Sequence, residues 1–210
     1  MIQNRQTWLV TLLLVLVVFV VGVLVGNAWR SGTSSEVSKV LRQSELSAES
    51  FLIEQDLFEN FETNCGLAKK RLSSLSEELW KLGKVLGGPE AKKELGANDY
   101  DMLKRKYHLM QIRTYVLYKK LQQDCQAQVN VVLFYFKKND DNSEAQGKIL
   151  DDLVKKYGLN VFAIEYNYSK ELEFLEDYYE INQTPALIVN FDNKLVGLSG
   201  EDKIAPLLHE

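Results

Sequence analysis

Apolar residues crowd the first part of the chain without interruption. Residues 7–29 carry no charged side chain, and almost every position from Trp8 to Val25 is apolar. At about 1.5 Å per residue, such a run is long enough for the ~30 Å hydrocarbon core of a bilayer. Trp8 and Trp29 stand at its ends and Arg5 and Arg30 just outside them, as interfacial aromatics and flanking cations do around a membrane span. The pattern predicts a single transmembrane helix, with residues 1–30 as an anchor in contact with the membrane through residues 8–29. Gly26-Asn27-Ala28 has the small-x-small form of a signal-peptide cleavage site, but the apolar run exceeds the 7–15 residues of a signal-peptide core.

The next part, residues 31–128, reads as a helical stalk. Ser31-Gly32-Thr33-Ser34-Ser35 is a polar hinge, with Ser35 able to cap a following helix. From Val37 to Phe61 the helical pattern is mixed, its apolar part being Phe51, Leu52, Leu57, Phe58 and Phe61. Cys65, Ala68, Leu72, Leu75, Leu79, Leu82 and Leu86 then alternate three and four apart, the seam of a coiled-coil-like helix. Gly87-Gly88-Pro89 stops it, and a polar link around 88–97 leads to a second helix from about Tyr100 to Gln126. Leu103, Tyr107, Met110, Leu117 and Leu121 mark one stripe of that helix, and Leu109, Ile112 and Val116 another. Two stripes predict cover on two sides, from the preceding helix and from the C-terminal domain.

Folded as an antiparallel hairpin about the 88–97 link, the two helices carry Cys65 and Cys125 to the same open end. Their distances from the link are about 33 Å and about 42 Å along the axes. A disulfide there would staple the hairpin and is expected in an oxidising compartment. Two free buried thiols and a redox-active pair are the alternatives, the last without a CxxC spacing to support it.

From Val129 the pattern changes. Val129–Phe136 is β-branched and aromatic, a buried strand. Ser143 can cap a helix to about Tyr157, with Gly158 as its stop. Leu159–Glu165 reads as a second strand, and Ser169 as the cap of a helix to about Glu180. Thr184-Pro185 precedes the strand Ala186–Val189, Asn193 lies in a turn to Lys194–Leu198, and a short helix fills 199–208. The order is βαβαββα, with parallel pairing expected among the first three strands and an antiparallel hairpin at the end.

That order resembles the thioredoxin fold over residues 129–208. Tyr179-Glu-Ile-Asn-Gln-Thr-Pro-Ala-Leu-Ile-Val189 looks like the family's helix end, cis-proline turn and following strand. The resemblance implies that Pro185 is a cis-proline beside a groove for an extended peptide. The family's CxxC would fall at Asp140-Asp141-Asn142-Ser143, where there is no sulfur, so the domain of residues 129–210 cannot exchange disulfides by itself. The implied partner-binding residues are Asp140, Asp141, Asn142, Ser143, Thr184 and Pro185.

Charge and remaining motifs narrow the function. All of the 25 basic residues except Arg5 lie beyond the apolar run, against 29 acidic ones, and an acidic domain without a basic stripe argues against a nucleic-acid partner. Asp140, Asn142, Glu144 and Asp151 fit positions 1, 3, 5 and 12 of a calcium loop, but Ala145 replaces its glycine. His108 and His209 lack companion ligands at zinc spacing and read as surface residues. Asn167 and Asn182 open glycosylation triplets, and Tyr166, Tyr168, Tyr178 and Tyr179 either pack or line a partner surface. No metal and no cofactor is expected. The basic residues near the anchor favour a cytoplasmic domain and the cysteines an extracytoplasmic one; the second is the expectation taken. The function expected is a membrane-anchored, redox-inactive binding, scaffold or chaperone-like module for a protein or peptide partner. A thiol oxidoreductase using Cys65 and Cys125, or a structural subunit of a membrane complex, are the alternatives.

Overall fold

Leucines at helical spacing lay down the first long element. Ala68, Leu72, Leu75, Leu79 and Leu86 are the buried residues of α1 (Cys65–Gly87), in a computed structural model that describes residues 8, 12–23, 46, 49–50, 53, 64–88 and 90–209. Asn64 caps α1 by accepting a hydrogen bond from Leu67 N. The polar link that follows is not bare loop: Ala91–Leu95 forms a short helix, α2, because Ala, Lys, Glu and Leu are all good helix formers. Gly96, at φ +80°, turns the chain into α3 (Ala97–Cys125), which therefore begins three residues earlier than the sequence suggests. Close packing of the pair shows at Gly83 of α1, where an added Cβ would collide with the Tyr107 hydroxyl of α3.

The sheet follows. The strands β1 (Val131–Phe136), β2 (Asn160–Glu165), β3 (Ala186–Val189) and β4 (Asn193–Val196) lie in the order β2-β1-β3-β4. β1 is parallel to β2 and antiparallel to β3, and β3 is antiparallel to β4. Side chains of β1 alternate between two cores. Val131, Leu133 and Tyr135 join the residues of α1 and α3 with Leu172 and Leu175, whereas Val132 and Phe134 join Leu150, Leu153 and Ile204. One face is therefore covered by α3 and α5 (Glu173–Tyr178), and the other by α4 (Asp141–Tyr157) and α6 (Glu201–Ile204).

Several sequence expectations need correction. The expected single transmembrane helix, membrane anchor and membrane localisation are contradicted, because no helix among the described residues is long and apolar enough to cross a membrane. Among the described residues of that run, Trp8 and residues 12–23 are helical and exposed. Arg5, Trp29, Arg30, the 26–28 triplet, the 31–35 hinge and Pro89 lie outside the described residues, as does most of the 37–61 segment.

The third strand runs antiparallel to β1, not parallel. A parallel return would require a connection spanning the full strand, about 20 Å. The expected helix from Ser169 is instead a 3-10 turn at Lys170–Leu172 followed by six residues of α5, only about 9 Å of helix. The chain thus re-enters the sheet from the end it left. In the final hairpin, Asn193 begins β4, and the turn is made by Asn190, Phe191 and Asp192, the first two at positive φ.

The second apolar stripe of α3 is also misread by sequence. Leu109 and Val116 are exposed, and the face toward the sheet is made instead by His108, Gln111, Ile112 and Tyr115. His108, expected on the surface, is 1% exposed.

Candidate functional site

The direction of α3 sets the geography of the sheet. Lys104, in its first half, pairs with Glu165 at the end of β2. Tyr118, fourteen residues on, donates to Asn160 Oδ1 at the start of β2 (3.0 Å) and meets Ser76 Oγ of α1 (3.1 Å). α3 therefore runs antiparallel to β1 and β2. Cys125, at the end of α3, lies beyond the starting end of these strands and is bonded to Cys65 (Cα–Cα 5.7 Å).

Pro185 lies at the other end. Tyr135 pairs with Ala186, which puts Pro185 level with Phe136 at the carboxyl end of β1. The Thr184-Pro185 bond is cis, Pro185 is buried, and its carbonyl accepts from Gly197 N (2.8 Å). The residues that leave β1 sit at the same end: Lys137, Lys138 and Asn139 are exposed, Asn139 at φ +59°. The topology thus gathers Asp140 to Ser143 with Thr184 and Pro185 at one end of the sheet. Cys65 and Cys125 are about a strand length away, roughly 17–20 Å.

The local bonding at the start of α4 is closed on itself. Asp140, not Ser143, is the cap: its Oδ2 accepts from Ser143 N at 2.8 Å, as a carboxylate at a helix start does readily. The Ser143 hydroxyl, and after it the Ser143 amide, holds the Asp140 carboxyl below its ordinary value. The Ser143 hydroxyl is buried and accepts from Lys137 N (3.1 Å). Asp141 and Asn142 are exposed and Thr184 is half-buried. The acid and the hydroxyl of this turn thus both accept hydrogen bonds from main-chain N–H groups. Among the described residues no group of acidic, His or Cys side chains could hold a metal ion.

A second polar set lies under α3, and the sequence reading missed it. His108 packs between the rings of Tyr107 and Tyr168, 5.5 Å and 5.3 Å away, with neither ring nitrogen hydrogen-bonded. Burial, and secondarily the Lys104 charge, lower its pKa to about 3. Burial likewise pushes Tyr107 up to about 12 and raises Tyr115, Tyr135 and Glu176. Glu176 accepts from Asn167 N (3.1 Å), and the Tyr115 and Tyr179 hydroxyls meet at 2.7 Å. Only the helical recurrence of His108, Gln111, Tyr115 and Tyr118 could have signalled this face. Of the four tyrosines noted in sequence, Tyr166, Tyr168 and Tyr179 pack on the core, and Tyr178 is exposed.

His108 carries a pH prediction. The Tyr107 and Tyr168 rings flank it, the Tyr168 hydroxyl donates to Asp101, and Lys104, the charge that acts on it, is paired with Glu165 of β2. Between pH 6.5 and about 3 the unfolded chain binds a proton here that the folded chain refuses. Its contribution to stability is thus complete above pH 6.5 and is lost as the pH falls. Urea unfolding at pH 7 and pH 5 should show wild type losing about 2 kcal/mol more than His108→Leu over that interval. The leucine variant should be no less stable at pH 7, since it removes two unsatisfied nitrogens.

No family model matches this sequence, and no curated protein is detectably similar to it.

Proposed function

We propose that residues 129–210 form a thioredoxin-like module without redox chemistry, which binds an extended segment of a protein partner at the carboxyl ends of β1 and β2. The order β-α-β-α-β-β-α and the place of Thr184-Pro185 immediately ahead of β3 support the family reading. In open α/β sheets, ligands favour the crevice outside the carboxyl ends of the strands, where the connections part to opposite sides. β1 is that point here, with β2 on one side and β3 on the other.

The observation that carries the reading is the separation of sulfur from the site. The chain has two cysteines, and both are joined at the far end of α3. The turn from Asp140 to Ser143 presents capped carboxylate, amide and buried hydroxyl in their place. An oxidoreductase working through Cys65 and Cys125 would need its substrate at the opposite end of the sheet from Pro185.

Binding can be followed by the fluorescence anisotropy of labelled, reduced and carboxymethylated α-lactalbumin, a permanently unfolded polypeptide. Thr184→Arg should weaken binding at least tenfold, a loss of about 1.4 kcal/mol or more. Gln123→Arg, on the exposed surface near the disulfide, should leave it unchanged. Equal effects at the two positions, or no binding by wild type, would remove the proposal.

A further inference from the structure

The residues of α5 divide between inside and outside. Leu175 and Glu176 are buried, whereas Glu173 and Asp177 are exposed, and Phe174 and Tyr178 are 57% and 67% exposed. At 100° per residue the four outer positions fall within an arc of about 140°. Phe174 and Tyr178, four apart, are neighbours on that arc, and Glu173 and Asp177 are neighbours beside them. The outer face is thus two aromatic rings edged by two carboxylates.

One of the rings is propped against the core. The Tyr178 ring stands nearly perpendicular to that of Tyr179, 4.8 Å between centroids, and the Tyr179 hydroxyl meets that of buried Tyr115 at 2.7 Å. A ring supported in this way has little freedom left to lose when something packs on it.

The carboxylates, in contrast, are not matched by charge from within the chain. Residues 170–180 hold five acidic side chains and one basic, Lys170. Arg105 pairs with Asp101 and Glu171, and the Lys194 ammonium donates to the Tyr179 and Glu180 carbonyls at 2.9 and 3.0 Å. Among the described residues Glu173 and Asp177 form no ion pair. Burial raises the Glu176 carboxyl above its ordinary range, and the charges of Glu173 and Asp177 add to that, against the Asn167 amide.

We infer that the outer face of α5 docks an arginine-bearing segment of a protein partner. A guanidinium is planar and weakly hydrated, so it can lie on an aromatic ring while its N–H fork meets a carboxylate. Phe174 and Tyr178 supply the rings, and Glu173 and Asp177 the carboxylates, side by side on one short helix. A second copy of this face would set carboxylates against carboxylates, and an anionic lipid surface or a nucleic acid would be repelled in the same way. The face is made of residues other than those around Thr184 and Pro185, and its occupancy does not depend on what that turn binds.

The test uses the purified full-length chain and fluorescein-labelled octa-arginine. Anisotropy is followed at an ionic strength of about 0.15 M, where exposed charges more than about 8 Å apart are largely screened. Phe174→Ala with Tyr178→Ala leaves the net charge untouched and should weaken binding about tenfold. Glu173→Gln with Asp177→Asn should also weaken it about tenfold or more. Asp151→Asn with Asp152→Asn removes two exposed carboxylates from α4 and should change binding about twofold at most. Labelled octalysine, which lacks the planar fork, should bind wild type about fivefold more weakly than octa-arginine. All six substitutions fall at exposed positions and leave Leu175 and Glu176 in place. The assignment would be overturned by any of four results: no binding by wild type, binding undiminished by loss of both rings, a loss at Asp151 and Asp152 equal to that at Glu173 and Asp177, or equal affinity for octalysine. The last two would mark a general attraction between opposite charges.

Discussion

Replacing Cys65 and Cys125 together by serine is expected to lower the stability of the folded chain by about 4 kcal/mol. The bond joins positions 60 residues apart, and closing a loop of that size removes much of the freedom of the unfolded chain. The loss should be felt unevenly. α1 buries Ala68, Leu72, Leu75 and Leu79 in the core beside α3, and the bond fixes its first residue to the last residue of α3. Without it α1 keeps its seam but loses its tether, so its amides should exchange well before those of β1 and β3. Urea unfolding with hydrogen exchange reads both effects. A midpoint unmoved by the double substitution would show that the seam alone holds α1 in place.

Tyr115→Ala should cost as much, about 4 kcal/mol, because the ring is a junction of three elements. It lies 4.9 Å from the Phe191 ring and 6.2 Å from Phe162, and its hydroxyl meets that of Tyr179 at 2.7 Å. Truncation would leave a cavity between α3 and the sheet and strip the Tyr179 hydroxyl of its partner. Phe191 would suffer too, since it is buried at φ +73°, a conformation that an aromatic residue holds only under packing constraint. Tyr115→Phe separates the two terms: it keeps the ring, loses the hydroxyl contact, and should cost about 1 kcal/mol. Equal losses in the two variants would mean that the hydroxyl pair, not the ring, carries the junction.

The parts legible in the sequence are those with a strong local period. The leucine seam of α1 stands out because a single face is apolar, and β1 because a strand buried on both faces reads as an unbroken apolar run. The arithmetic that carries Cys65 and Cys125 to one end of a hairpin agrees with their bond. Direction in the sheet was not legible. Whether β3 runs with or against β1 depends on how much of the 166–185 connection is helix, and residues 170–178 divide into two short turns instead of one long helix. The buried face of α3 was concealed because His108, Gln111 and Thr114 are polar letters, and nothing local reveals that a histidine will be sealed between two tyrosine rings. Conversely, Leu109 and Val116 look like core and are exposed. The apolar run near the start of the chain illustrates the limit of composition: it has the hydropathy of a span, but no helix among the described residues is long and apolar enough to cross a membrane. At the candidate site, position was readable from the order of elements, whereas the bonding was not. Asp140 takes the capping role assigned to Ser143 because it stands one residue before the first helical turn, within reach of the Ser143 amide.

The most direct test of the functional account is to map where an unfolded polypeptide touches the protein. A photocrosslinking residue is placed at exposed Asn142, at the carboxyl end of β1, and in a second preparation at exposed Gln123, near the disulfide. Each is irradiated with reduced, carboxymethylated α-lactalbumin. Capture from position 142, with little or none from 123, is the predicted result. Capture from 123 equal to or above that from 142 would place recognition at the disulfide end and contradict the account.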